Sequence, residues 1–123
     1  MGGRSSKVKG SGFEREVVAL LHALGVEAER VPLSGAAKGS YAADLRLGPD
    51  LHATGEAKRR ARGFTPVYDA LAQDDADFAF LRDDRRPPIV AMSWETFVRV
   101  ITALGWTDPA RATLILPHKE PKA

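Results

Sequence analysis

No cysteine occurs anywhere in the 123 residues. Disulfides, thiolate zinc sites and cysteine nucleophiles are excluded together, and a reducing compartment is implied. Histidine is nearly as scarce. His22, His52 and His118 fall at no metal-ligand spacing and read as surface or boundary residues. No apolar run approaches the roughly 20 residues that a membrane-spanning helix needs. The opening "MGGRSSKVKGSG" is basic but leads into no signal-peptide core, so a cytoplasmic location is expected rather than export. A strong overall charge is missing too, since the net is +2. The charge is nevertheless uneven. Residues 1–65 hold 11 Lys and Arg against 7 Asp and Glu, whereas residues 66–123 hold 7 against 9. A basic first half and an acidic second half offer one face to a polyanion and another to a different partner.

The length is that of one domain and is enough to bury a core without a structural metal. Hydrophobic residues at 44% and charged residues at 28% predict a soluble globular fold rather than disorder. Residues 1–10 read as a flexible basic arm, 11–117 as a single domain and 118–123 as a tail. Phe13, Val17, Leu20, Leu21 and Leu24 recur at helical spacing and predict a first helix from about Gly12 to Leu24, capped by Ser11 and stopped by Gly25. Residues 26–32 alternate as a strand, and 33–41 form a glycine- and serine-rich loop. Residues 42–47, 48–50 and 51–58 read as strand, tight turn and strand. A helix over 65–73 has Thr65 as cap and Pro66 in its first turn. A second strand pair covers 77–82 and 88–93. Ser93 caps an amphipathic helix over 93–105, with Phe97, Val98, Ile101 and Leu104 on one face, and residues 111–117 predict a last edge strand. The class is α/β in the broad sense, an α+β arrangement with a central mixed sheet flanked by helices. Trp94 and Trp106 flank the last helix as packing residues or, alternatively, as part of a dimer surface.

The stretch Gly55-Glu-Ala-Lys-Arg-Arg60 raises the chemical question. With the turn centred on Pro49, positions summing to 98 face each other, and Asp44 pairs near Thr54. Glu56 then lies diagonal to Asp44 on the same face, about 7–8 Å away, and Lys58 shares that face. Two carboxylates side by side repel unless a cation intervenes, and this pair suits Mg²⁺, which takes oxygen ligands and keeps several waters. A neighbouring ammonium can hold the attacking water or balance charge on a phosphate. Asp50 is the competing carboxylate, but along an extended strand it would sit about 20 Å from Glu56, and Gly-Pro-Asp is an ordinary turn sequence.

Glu14 has two readings. In "SGFE" it completes a capping box with Ser11; the second reading depends on the pattern downstream. "KGSGFEREVVALLHALG", "ERVPLSG", "AADLRL" and "GEAKRR" follow in order over roughly residues 7–60. Together they resemble the archaeal Hjc-type Holliday junction resolvases, with their phage and bacterial relatives, of the PD-(D/E)xK nuclease superfamily. Ala43 stands where the name motif has proline, a position that does no chemistry. After residue 75 the pattern fades.

The resemblance implies a restriction-endonuclease-like core and a structure-specific endonuclease that resolves four-way junctions with Mg²⁺, for which Mn²⁺ substitutes. Glu14, Asp44 and Glu56 match the metal-binding acids, with the backbone carbonyl of Ala57 as a further ligand. Lys58 matches the catalytic lysine, and Ser34 a loop serine that approaches the scissile phosphate. Ser34 is not read as a hydrolase nucleophile, because no strand–turn–helix elbow surrounds it. Arg30, Arg59, Arg60 and Arg62 would meet the sugar-phosphate backbone, joined by Lys7 and Lys9 of the arm and by Gln73 on the following helix. The partners implied are branched DNA and a second copy of the chain, in the cytoplasm of a prokaryotic or phage-infected cell. Two alternatives stay open: a related nuclease for flapped, nicked or duplex DNA, and a non-catalytic DNA-binding module.

Overall fold

The computed structural model describes residues 2–31 and 44–115, and for 2–11 and 115 the backbone alone. Two compact units result, one of Met1–Arg59 with Gly105–Ala123, the other of Arg60–Leu104. The span 11–117, expected as one domain, contains parts of both. The class is α+β. Every described strand pair is antiparallel, in one sheet of three strands and one of two, so the parallel pairing of the expected mixed sheet is not found among the described residues. No helix among them is long and apolar enough to cross a membrane.

In the first unit, α1 runs Gly2–Ala23 and starts ten residues ahead of the expected Gly12. Residues 2–10, expected as a flexible arm, carry helical backbone. The stretch has no proline to stop it, although each glycine there weakens a helix by about 1 kcal/mol relative to alanine. Ser11 therefore lies inside α1, and the capping-box reading of Glu14 falls away. The stop at Gly25 holds in detail. Gly25 has φ 79°, its N–H donates to the His22 carbonyl at 2.9 Å, and the Val26 N–H donates to the Leu21 carbonyl at 3.0 Å. This pair of bonds satisfies the last carbonyls of α1 in a Schellman motif, with Leu21 and Val26 both buried beside it. A side chain at residue 25 is disfavoured twice, because an added Cβ would also lie 2.9 Å from Cβ of Asp108.

Strands β1 (Ala28–Arg30), β2 (Leu45–Leu47) and β3 (Ala53–Gly55) pair in sequence order. They are shorter than expected. Leu21, Leu24, Val26, Ala28 and Leu45 form the buried core of this unit with Ala57 and Ala112, while Glu29, Arg46 and Thr54 share the exposed side of the sheet. The register differs from the predicted one. Leu45 faces Gly55, Arg46 faces Thr54 and Leu47 faces Ala53, so the turn centres on Asp50. The cause is a wider turn than Gly-Pro-Asp suggested. Pro49–Leu51 forms a 3-10 turn in which Asp50 takes φ 56°, and the Asp50 N–H donates to Glu27 Oε2 at 2.7 Å. Gly48, at φ 87°, brings the backbone against Trp106, whose Cζ3 would lie 3.0 Å from any Cβ there. Trp106 also meets His52 edge to face, with ring centroids 5.6 Å apart. Trp106 is thus a packing residue. His52 bonds the Pro49 carbonyl and His22 the Ala28 carbonyl, which are structural uses.

Of residues 111–117, expected as an edge strand, 111–115 are helical instead, in α4 (Pro109–Ile115), and 116–117 lie outside the described residues. Asp108 starts this helix: its Oδ1 accepts the Ala110 N–H at 3.1 Å, and Pro109 takes the first position, where a missing N–H costs nothing. The Asp108 N–H and the Arg111 guanidinium reach back to the carbonyls of Leu24 and His22 at the end of α1, where positive charge is favoured.

The second unit holds α2 (Thr65–Ala72), β4 (Phe78–Leu81), β5 (Ile89–Met92) and α3 (Trp94–Ala103). The cap of α2 is Phe64 rather than Thr65, which is already helical. Ser93 caps α3 as expected, accepting the Thr96 N–H at 3.2 Å. Thr96, Val98 and Ile101 are its buried residues, whereas Leu104 is 62% exposed and leaves the predicted face. Gly105 turns the chain at φ 82°. Trp94 packs on Phe97.

Candidate active site

Four residues expected at the site lie at adjoining ends of the first unit's elements. Asp44 immediately precedes β2, and Glu56, Ala57 and Lys58 immediately follow β3. The paired register ends at Leu45 and Gly55, one residue short of Asp44 and of Glu56, and differs from the one predicted from a turn at Pro49. One contact joins the two ends. The Ala57 N–H donates to Asp44 Oδ2 at 2.9 Å. Asp44 in turn accepts the Val31 N–H on its backbone carbonyl at 2.9 Å. The half-buried Asp44 is therefore tied at both its main chain and its side chain, and Ala57 is buried between two exposed residues, Glu56 and Lys58.

Glu14 is held elsewhere. On α1, its Oε2 accepts the Arg30 Nε–H at 3.0 Å, and its side chain is only 14% exposed. Arg30 ends β1, one residue before Val31, so a continuous run of contacts leads from Glu14 through Arg30 and Val31 to Asp44 and Ala57. Even so, among the described residues no group of three or more His, Asp or Glu is gathered to hold a metal ion. Of the expected acids, Glu14 meets Arg30 and Asp44 meets the Ala57 N–H. Sequence reasoning missed the Glu14–Arg30 ion pair because its members are sixteen positions apart and belong to different elements.

The remaining expected residues divide by location. Arg59 is exposed just after Lys58. Because β3 ends at Gly55, strand alternation does not carry on to 58–60, and no face can be assigned to the arginines from it. Arg60, Arg62 and Gln73 belong to the second unit and are exposed. Arg60 rests over the Phe64 ring, 5.9 Å from its centroid, and Gln73 follows α2 in a short 3-10 turn. Ser34 and His118 lie outside the described residues, as do the side chains of Lys7 and Lys9. Asp50 sits in the turn, its N–H donating to Glu27 Oε2.

Searches of curated proteins and of solved structures give no match. A family model does match: residues 5–68 fit the archaeal Holliday junction resolvase (Hjc). These are 64 of the 123 residues, just over half the chain. Members of this family are nucleases that act on branched DNA and generally depend on a metal ion. The matched stretch takes in Glu14, Asp44, Glu56 and Lys58, and the chain belongs to the archaeal Holliday junction resolvase (Hjc) family.

Proposed function

We propose that this protein is a Mg²⁺-dependent endodeoxyribonuclease that resolves four-way DNA junctions by phosphodiester hydrolysis. The observation that carries the reading is the Asp44 carboxylate, bonded to the N–H of Ala57, the residue after Glu56, inside the stretch matched by the family. Asp44, Glu56 and the Ala57 carbonyl are all oxygen donors, the kind a hard divalent cation prefers, and with only two acids the cation would keep several waters. Mn²⁺ suits the same donors. A bound cation supplies positive charge against the phosphate and lowers the pKa of water. The Ala57 N–H fixes the Asp44 carboxylate before any cation arrives, the service that outer hydrogen bonds give to metal ligands.

Lys58 places an ammonium beside this carboxylate pair, where it balances charge on the scissile phosphate or holds the attacking water. Water attacks phosphorus in line as the bond to the 3′ oxygen breaks, leaving a 5′-phosphate. Arg30, Arg59, Arg60 and Arg62 contact the backbone, with Lys7, Lys9, Ser34 and Gln73 as further contacts. Both strands of one junction must be cut, which calls for a symmetric dimer with two sites. Phe78, Phe80, Val90 and Met92 share one face of the β4–β5 pair, and Phe80 is 75% exposed, an apolar surface of the kind that suits subunit contact. Light scattering should then give twice the 13.3 kDa chain mass; a monomer at working concentration ends the dimer reading.

The family match stops at residue 68, which favours one second reading: the same chemistry on flapped, nicked or duplex DNA. Cleavage of a four-way junction and of a linear duplex of the same sequence, each with and without Mg²⁺, separates the two. Junction cleavage dependent on Mg²⁺ and at least tenfold faster than duplex cleavage is expected. Equal rates sink the resolvase assignment, and cleavage undiminished in EDTA sinks the metal.

A further inference from the structure

The β4–β5 hairpin carries a charged tip beyond residue 68, where the family match ends. Its last paired residues are Leu81 and Ile89, and the seven between them read Arg-Asp-Asp-Arg-Arg-Pro-Pro. Hairpin connections commonly take about two to five residues, so this one stands out from its strands. Every residue from Arg82 to Pro88 is exposed. The Arg86 N–H donates to the Asp83 carbonyl at 3.1 Å and closes a β-turn. The third residue of that turn is Arg85, at φ 64°. Glycine or asparagine is the usual choice there, and an arginine in the left-handed region costs backbone energy. Pro87 and Pro88 have a fixed φ and stiffen the returning limb. Arg82, Arg85 and Arg86 flank Asp83 and Asp84 in sequence and leave residues 82–86 at a net +1. Among the described residues, none of these guanidiniums makes an ion pair.

We propose that this tip is a further DNA contact, in which Arg82, Arg85 and Arg86 take backbone phosphates of the junction other than the one that is cut. This rests on the junction-nuclease reading above. A planar guanidinium with no carboxylate on it has its donor fork free for phosphate oxygens. Strain at Arg85 is kept at an exposed turn where it serves no packing, and strain of that kind marks function. The contact touches no reacting atom, so it acts on affinity far more than on the chemical step.

The test is junction binding by fluorescence anisotropy in EDTA over a salt series, with single-turnover cleavage at saturating junction and thermal unfolding alongside. The full chain is compared with Arg85→Gly and with the triple variant Arg82→Ala, Arg85→Ala, Arg86→Ala. The triple variant should bind roughly a hundredfold more weakly, and its slope of log affinity against log salt should fall by about two to three. Its rate at saturation should fall by less than about threefold. Arg85→Gly gives two opposite signs. It relieves the left-handed backbone, so its Tm should hold or rise, and it removes a cation, so its affinity should fall roughly fivefold. Unchanged affinity and salt slope in the triple variant overturn the proposal. So does a rate at saturation that falls with affinity intact, which puts the arginines in the reaction. Unchanged DNA affinity with a lower light-scattering mass makes the tip a subunit contact and overturns it too. If the unaltered chain binds no junction, the nuclease reading fails first and the proposal with it. If it binds junctions but cuts none, and the triple variant still loses affinity, the nuclease reading alone fails.

Discussion

Asp44→Asn should lower the single-turnover rate of junction cleavage by a factor on the order of 10³ or more, the scale seen when one member of a catalytic set is removed. The substitution isolates the charge. Asparagine has nearly the same shape, and its amide oxygen can still accept the Ala57 N–H that now reaches Asp44 Oδ2. The backbone bond from Val31 to residue 44 is untouched. Stability should therefore change by no more than about 1 kcal/mol, the scale of one altered hydrogen bond, and thermal unfolding can check this directly. Junction affinity without added cation should hold or rise slightly, because one negative charge has left a surface that faces phosphate. Asp50→Asn is the matched control. Asp50 lies in the turn with its N–H bonded to Glu27, and its substitution should leave cleavage as it was. If Asp50→Asn abolishes cleavage and Asp44→Asn does not, the hairpin register has been misassigned to function and the metal site belongs at the turn.

That register shows what could be read from the sequence and what could not. The alternation expected to put Asp44, Glu56 and Lys58 together depends on a strand's period of two, but β2 begins at Leu45 and β3 ends at Gly55, so all three stand just outside the strands. The turn itself required knowing that Asp50 takes a left-handed backbone at φ 56°, which Gly-Pro-Asp does not announce. The observed shift is two positions, so Leu45 faces Gly55 where a turn at Pro49 would have set it opposite Ala53. Helix ends were legible wherever a local device sets them, as at Gly25 and Ser93. Thr-Asp-Pro at 107–109, an aspartate cap before a first-turn proline, marks the start of α4, but the apolar residues that follow it in sequence read equally as a strand. The extent of α1 was not legible, because a stretch with neither apolar period nor proline neither requires nor forbids a helix. Least legible was the Glu14–Arg30 pair. No local pattern joins residues sixteen apart; only the measured rise of a helix and a strand about a common corner does.

Lys58→Met carries the second large effect. The methionine keeps an unbranched apolar stem and removes the ammonium. Single-turnover cleavage at saturating junction should fall by about 10² to 10³, the usual cost of losing one group that stabilises charge in a transition state. Affinity and its salt dependence should change little beyond one charge. Lys58→Arg should recover only a small part of the rate, because a planar guanidinium is bulkier and cannot give up a proton near neutral pH. Arg59→Ala is the informative neighbour. It lies one residue further along the same exposed run, and as a backbone contact it should weaken binding and reduce the salt slope by about one. Rate and affinity thus separate two adjacent cations that composition alone cannot tell apart. The separation has a physical source: Lys58 directly follows Ala57, whose N–H is bonded to the Asp44 carboxylate, so its backbone position is tied to the acid pair. Should Lys58→Met instead behave like Arg59→Ala, with lower affinity and an unchanged rate at saturation, Glu56-Ala57-Lys58 would be a strand end with a DNA-contacting lysine, and the chemistry would have to be sought in the acids alone.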